Sequence, residues 1–162
     1  MMIEFLHSPG FLGTNANMFA DLTLIMMLLI LATFSVGFYL AVKGRYDTHK
    51  WVQTTGVVLN VILVLWLMVI PYRNLVLNDF GGPREPAFYQ VAMIHAAVGF
   101  FAFLLGSFVV LRGHKLVPKF LQFKNYKLFM RTAYGLYLLT TLLGVWLYYT
   151  WYVVIANPPI FE

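Results

Sequence analysis

His95 is the residue of this chain best placed to do chemistry, because it is an imidazole inside a long apolar segment. It lies in the run VAMIHAAVGFF, residues 91–101, roughly 9 Å along a helix from Tyr89 near the start of that segment. An ionisable side chain at that depth in hydrocarbon is costly and is taken as functional by default. Neutral imidazole binds haem iron and copper well, so His95 indicates a metal centre. The alternative is a neutral His95 that donates one hydrogen bond to Asn60, Tyr148 or a backbone carbonyl.

A metal at His95 needs further ligands, and the sequence offers few. His7, in the segment before the first apolar run, is predicted to fold back toward His95, and these two histidines are the predicted metal ligands. His49 and His114 fall at the opposite ends of the apolar segments, a bilayer thickness away. Met68 lies in the same half as His95, and its thioether suits haem or Cu(I). The chain has no cysteine, which excludes thiolate sites, disulfides and thiol catalysis.

A second candidate site is a group of basic residues at the starts of the second and fourth apolar segments. His49 and Lys50 open one segment, and Lys127 and Arg131 open the other. These side chains suit haem carboxylates or a lipid phosphate, while the simpler interpretation is a set of anchors that hold helix ends at the lipid headgroups. The residues predicted to bind a cofactor, haem or copper, are therefore His95, His49, Lys50, Lys127, Arg131 and Asn60.

The sequence lacks the motifs that are typical of enzymes. It contains no Ser–His–Asp set, phosphate-binding loop or zinc motif, so no catalytic residue is predicted and the balance is against an enzyme. The charge-free segments that define the predicted spans contain no acidic residue, and Asp21, at the start of the first span, is counted with the acids of the outer surface. A proton pump or an ion-coupled transporter is therefore disfavoured.

The elements that must position these residues are predicted from composition. The chain is 61% hydrophobic and 10% charged, whereas soluble domains are about 25% charged. About 20 residues in a helix cross a hydrocarbon core of about 30 Å, and four segments pass this test. We predict an all-α fold, an integral membrane four-helix up-and-down bundle that forms a single transmembrane domain over residues 1–162. The spans are expected at about 19–42, 50–72, 87–111 and 130–156.

Small residues predict which helix faces meet. The third span carries one stripe at spacings of three and four, formed by Ala92, His95, Gly99, Ala102 and Gly106. Small residues let a neighbouring backbone approach closely, so His95 is expected to face protein rather than lipid. The second and fourth spans each carry a polar face that is expected to point into the bundle: Gln53, Gly56 and Asn60 on the second, and Tyr137, Thr141, Gly144 and Tyr148 on the fourth. The second and fourth spans can be aligned from Lys50 and Lys127, which indicates a repeated hairpin.

The distribution of charge predicts an orientation in the membrane. Nine of the eleven Lys and Arg residues lie in or beside the loops after the first and third spans. By the positive-inside rule these loops face the cytoplasm and both termini are extracytoplasmic. The basic residues are confined to two loops, so nucleic acid is not a predicted partner, whereas membrane lipid is.

The pattern of motifs resembles a known family. His49-Lys50 opens the second span, His95 stands alone in the third, and Lys127 and Arg131 open the fourth. Over about residues 15–155 this arrangement resembles the CtaM/YozB-like proteins, a family of small four-span bacterial membrane proteins catalogued as domain of unknown function 420. Several family positions differ here. Gln53 replaces the usual Met, Pro71-Tyr72 stands where the family often has a His, and Tyr126 replaces the His that usually opens the fourth span.

The resemblance implies an accessory role in the biogenesis of a haem–copper terminal oxidase, in a bacterial cytoplasmic (inner) membrane. Haem or copper would be handled near His95, and the partner would be a larger membrane complex such as the oxidase. One alternative is a structural or haem-binding electron-transfer subunit of a respiratory or photosynthetic complex. Another is a quinone- or lipid-binding membrane enzyme, which has only the polar interior in its favour.

Overall fold

Four long helices form the protein, and each is apolar enough to cross a membrane. The computed structural model describes residues 8–78, 82, 86–122 and 125–155. The helices are α1 (Met18–Val42), α2 (Tyr46–Leu77), α3 (Pro86–Gly113) and α4 (Tyr126–Val154). Their length and hydropathy make this a multi-pass membrane protein, and the predicted all-α four-helix bundle is confirmed.

The helices are arranged as two closely packed hairpins. The most extensive packing is between α3 and α4 and between α1 and α2, while α1 with α4 and α2 with α3 close the ring. The chain reverses direction between α1 and α2 over residues 43–45, where Gly44 has a φ of 74°. A residue without a Cβ adopts this left-handed conformation at no steric cost, so the turn can be short. Neighbouring helices are therefore antiparallel, as the up-and-down order predicts.

Helix α2 extends past the expected end of the second span because its backbone accommodates Pro71. Proline has no N–H group and disrupts the hydrogen bonding of a regular helix. Here π-helical segments, Leu63–Met68 and Tyr72–Leu77, lie on either side of it. In these wider turns an N–H bonds to the carbonyl five residues earlier, as Val69 N–H does to Val64. The helix thus continues for a further turn and brings Val76 into the core at the end of the bundle where α1 begins and α4 ends. This end is called the outer end below, and the opposite end the inner end.

Glycines set the spacing of α1 and α2. A Cβ on Gly56 would lie 2.5 Å from the Phe34 ring, and one on Gly37 would lie 2.5 Å from the Gln53 amide nitrogen. Gln53 Nε2 donates to the Phe34 carbonyl at 3.3 Å. Gln53 and Gly56 of α2 therefore face α1, on the inside of the bundle. The two helices can approach this closely because Gly37 and Gly56 have no side chains.

Aromatic side chains fill the outer end of the bundle. Phe88 of α3 stacks on Trp151 of α4 with 4.4 Å between ring centroids. The Trp151 indole N–H donates to the Phe88 carbonyl at 3.1 Å, so the polar atom of this buried ring is satisfied. The cluster also contains Ala16, Ala20, Val76, Tyr89, Ala92 and Tyr152.

Asp21 fastens the segment before α1 to the end of α4. The sequence places this acid at the outer surface, but it lies in the first turn of α1 and is fully buried, with 0% of its surface exposed. Its Oδ2 accepts hydrogen bonds from the N–H groups of Phe11 and Leu12 at 2.6 and 2.8 Å. Its Oδ1 accepts from the Tyr148 hydroxyl at 2.5 Å, and Thr14 Oγ1 lies 2.7 Å from the same hydroxyl. An acidic residue in the first turn of a helix also interacts favourably with the positive end of the helix dipole.

Replacing Asp21 by Ala should destabilise the folded protein. Two backbone N–H groups and one phenol would lose a charged acceptor, so we expect the free energy of unfolding to fall by about 2–4 kcal/mol. The matched control is Asp47→Ala, because Asp47 also lies in the first turn of a helix but is exposed. That substitution should change stability by about 0.5 kcal/mol or less. Thermal unfolding in mild detergent measures both, and equal losses in the two variants would contradict the assigned role of Asp21.

Candidate functional site

His95 is buried in the bundle, and its ring is oriented by α4. Only 9% of its surface is exposed. Its Nδ1 lies 3.1 Å from the carbonyl oxygen of Thr140. A carbonyl oxygen can only accept, so Nδ1 carries the proton, and in the neutral ring Nε2 keeps a free lone pair. Within the described part of the chain, Nε2 has no hydrogen-bond partner.

Gly144 makes room for this arrangement. It follows Thr140 by one helical turn and lies against both His95 and Met27. A Cβ at this position would stand 2.9 Å from Cε1 of His95 and 2.6 Å from Sδ of Met27. Because Gly144 has no side chain, the His95 ring can reach the α4 backbone and the Met27 thioether can pack beside it.

The outer cavity is a space of about 690 Å³ that His95 lines. All four helices contribute to its wall, and most of the lining residues are apolar, including Met27 and Met68. Ligand cavities in proteins are typically about 300–1,000 Å³ and mostly apolar with a few polar groups. Met93 also touches this cavity, although 43% of its surface is exposed. The outer cavity therefore has the size and character of a site for a large apolar ligand.

The inner cavity is a space of about 740 Å³ at the end where the basic loops lie. Four of the predicted cofactor-binding residues line this cavity near its mouth, namely His49 and Lys50 on α2 and Lys127 and Arg131 on α4. Within the described chain, the two lysines and the arginine form no ion pair, and Lys50 lies over the Trp51 ring. The acidic residue Asp47 also lines this cavity, so three basic side chains stand against one acidic side chain, and the excess of positive charge suits an anionic group.

The two histidines near this mouth are each held by a neighbouring element. His49 Nδ1 lies 2.7 Å from the Gly37 carbonyl, so it donates in the same way as His95 Nδ1. His114 Nε2 lies 2.7 Å from Thr54 Oγ1, whose proton is directed to the Lys50 carbonyl. His114 is therefore the donor in that contact, and it ties the end of α3 to α2.

The waist of the bundle is the place where the two cavities adjoin. Asn60, Ala102, Phe103 and Tyr137 line both cavities. All six predicted cofactor-binding residues therefore lie on one pair of adjoining cavities, with His95 on the outer one and Asn60 on both. The predicted metal ligand His7 lies outside the described residues.

Several residues of the site were missed by sequence reasoning. Thr140 acts through its backbone carbonyl, which no side-chain pattern signals. Met27 lies in a helix that is apolar on every side, so its position in the sequence does not indicate that it lines a site. Gly144 belongs to the face of α4 expected to point inward, and that face was the available signal.

The number of side chains available as ligands decides whether these residues suit a bare metal ion or a haem iron. Within the described chain, no three side chains among His, Asp and Glu come close enough to hold a metal ion. A haem iron takes its equatorial ligands from the porphyrin and needs only one or two axial side chains from the protein. His95 Nε2 and the apolar outer cavity meet that smaller requirement. A comparison of the chain with protein-family models, curated proteins and solved structures finds no match.

Gly144→Ala should displace His95. The added methyl would overlap the His95 ring and Met27, and overpacking of this kind costs about 1–3 kcal/mol of stability. Gly135→Ala is the matched control on the same helix, because a Cβ there meets nothing within 4 Å. Alanine is the better helix former, so the control should gain up to about 1 kcal/mol. Thermal unfolding in detergent compares the two, and stabilisation of both variants would show that Gly144 is not a close contact.

Proposed function

We propose that this protein binds haem inside the bundle, with His95 as an axial ligand, and that it serves as an accessory factor in the biogenesis of a haem–copper terminal oxidase. The observation that carries the haem proposal is the His95 ring, whose Nδ1 is bound to the Thr140 carbonyl while Nε2 is free beside the outer cavity. A ligating histidine in proteins commonly donates its other N–H to a carbonyl or carboxylate, which fixes its tautomer and orientation.

The shape and charge of the two cavities support haem over a bare metal ion. The outer cavity offers apolar space for a porphyrin ring, and the inner mouth offers cations for its carboxylates. Arg131 precedes Thr140 by nine residues, which is about 13.5 Å along α4 toward the inner end. The positive charges therefore lie to one side of His95, where the acidic edge of the ligand would point. A Cu(I) ion bound by His95 and Met27 would use neither the volume nor these charges.

The residues of the chain have separate tasks in this proposal. Thr140 orients the imidazole, Gly144 leaves room for it, and the apolar wall excludes water. When bound, haem supplies an iron whose reduction potential depends on its axial ligands and its burial. A second protein ligand to the iron would come from the thioethers that line the same cavity, which are Met27, Met68 and the more exposed Met93.

The biological role rests on the resemblance of the motifs to the CtaM/YozB-like family. The proposed setting is a bacterial cytoplasmic membrane with both termini extracytoplasmic, which the excess of basic residues beside two loops supports. The partner is then a larger membrane complex, the oxidase that receives or needs the haem. A permanent haem-binding subunit of a respiratory or photosynthetic complex would use the same site.

His95→Ala should abolish haem binding without unfolding the bundle. The purified protein is titrated with iron protoporphyrin IX in mild detergent, and a Soret band with sharp bands on reduction is expected for the parent only. Gln90→Ala is the control on the same helix, because Gln90 is exposed and lines neither cavity. It should bind haem as the parent does. An identical spectrum in His95→Ala, or no haem binding by the parent, would contradict the proposal.

The cellular role requires a separate experiment. A strain carrying His95→Ala should accumulate the protein but show lower haem content and activity of its terminal oxidase. A free pool of the protein is expected for an accessory factor, whereas stoichiometric copurification with a complex would favour the subunit alternative. Normal oxidase activity in that strain would argue against a role in biogenesis.

The orientation can be tested by labelling single cysteines, because the chain contains none of its own. Leu12 precedes α1 and Leu116 follows α3, and both are exposed. A membrane-impermeant maleimide should label Leu12→Cys in intact cells, and Leu116→Cys only after permeabilisation. The reverse pattern would place the basic loops outside and overturn the proposed topology.

A further inference from the structure

Tyr137 carries a buried hydroxyl group that has no partner in the described part of the chain. Its side chain lies at the waist, and 7% of its surface is exposed. The ring packs edge-on against Phe34 with 4.6 Å between centroids, but the Oη atom has no hydrogen-bond partner in the described chain. Buried polar groups in native proteins are nearly always hydrogen-bonded, so an exception calls for an explanation.

Asn60 presents a second unused polar group at the same place. Its side chain is as deeply buried as that of Tyr137, with 7% exposed, and it forms no hydrogen bond within the described residues. The amide has two N–H donors and one acceptor oxygen. Both Asn60 and Tyr137 line the inner and the outer cavity. Two residues from different helices, each with an unused polar group, therefore line the same space.

Neighbouring polar side chains show that the bundle does satisfy such groups elsewhere. Thr140 and Thr141 donate to carbonyls of their own helix at 2.8 and 3.0 Å. Tyr134, one turn from Tyr137, has its hydroxyl 2.9 Å from Ser35 Oγ. Among the described residues, the fully buried side-chain N and O atoms without a partner are Tyr137 Oη and Arg112 Nε at the far end of α3. An unpaired polar atom is therefore an exception in this interior.

We propose that Tyr137 and Asn60 form a hydrogen-bonding subsite for an acceptor oxygen of the bound ligand, which for haem is a propionate carboxylate. This inference rests on the proposed haem site and adds the group that the waist recognises. Tyr137 precedes Thr140 by three residues, so it lies about 4.5 Å from the level of His95 toward the inner end. The waist is thus between His95 and the cationic mouth, on the side where the carboxylates would lie.

The unpaired Tyr137 hydroxyl and Asn60 amide affect the free energy of ligand binding. A donor buried without an acceptor destabilises the ligand-free protein, and a ligand oxygen that accepts from it removes that penalty on binding. Hydrogen bonds to a charged acceptor are about twice as strong as neutral ones. The waist therefore favours a ligand that brings a carboxylate there over one that is apolar throughout.

Tyr137→Phe tests this inference, because it removes the hydroxyl and keeps the ring. Affinity for iron protoporphyrin IX should fall by about 10- to 100-fold, the range expected when a hydrogen bond to a charged group is lost. The thermal unfolding temperature of the ligand-free variant should stay the same or rise, because an unsatisfied group has been removed. A hydroxyl with a structural role would give the opposite change in stability.

Tyr149→Phe is the matched control, since it makes the same substitution on the same helix at an exposed side chain that lines neither cavity. It should leave both the unfolding temperature and the haem affinity unchanged. Asn60→Leu removes the amide at similar volume and should weaken binding in the same direction as Tyr137→Phe. With the dimethyl ester of the same haem, the difference between the parent and Tyr137→Phe should shrink, because the acceptor has lost its charge.

The outcomes separate this inference from the haem proposal. Haem bound by Tyr137→Phe as tightly as by the parent would overturn the subsite and leave the axial role of His95 standing; an ordered water at the waist would produce that result. A parent protein that binds no haem would overturn both. Weaker haem binding in Tyr137→Phe, with stability unchanged or increased and the ester effect reduced, would support the subsite.

Discussion

The hydrogen bond from His95 to the Thr140 carbonyl is the interaction on which the site depends. It holds an imidazole against the neighbouring helix, fixes the proton on Nδ1 and leaves the Nε2 lone pair beside an apolar cavity. The bond is possible because Gly144 lets the ring approach the backbone of α4. An isolated imidazole facing lipid would have neither a partner nor a defined orientation, and its burial would only be costly.

The bundle is built so that this ring lies next to a large space. Two hairpins with tight internal interfaces pack around adjoining outer and inner cavities, which are lined by all four helices. At the outer end, the aromatic cluster and the Asp21 hydrogen bonds fasten the segment before α1 to α4. At the inner end the lining becomes cationic. The gradient from an apolar outer half to a basic inner mouth supports the proposed binding of an amphiphile with acidic groups at one edge.

Much of this architecture could be predicted from composition and spacing. Charge-free segments of membrane-spanning length predicted the four helices, and the stripe around His95 predicted that this ring faces protein, as the structure shows. Other features depend on tertiary contacts. The burial of Asp21 depends on a loop that folds back over α1, and the role of Thr140 depends on a backbone atom. The π-helical turns let α2 continue past Pro71, which a sequence pattern treats as a stop. The identity of the ligand and of the partner stays a prediction.

The protonation of His95 tests the central claim most directly. Nitrogen-15 NMR of histidine-labelled protein in lipid nanodiscs distinguishes a protonated ring nitrogen from one with a free lone pair, and His95→Gln assigns the signal. The account predicts a neutral His95 with its proton on Nδ1 and an unprotonated Nε2 whose signal changes when iron protoporphyrin IX is added. A proton on Nε2, or a charged ring in the ligand-free protein at neutral pH, would contradict it.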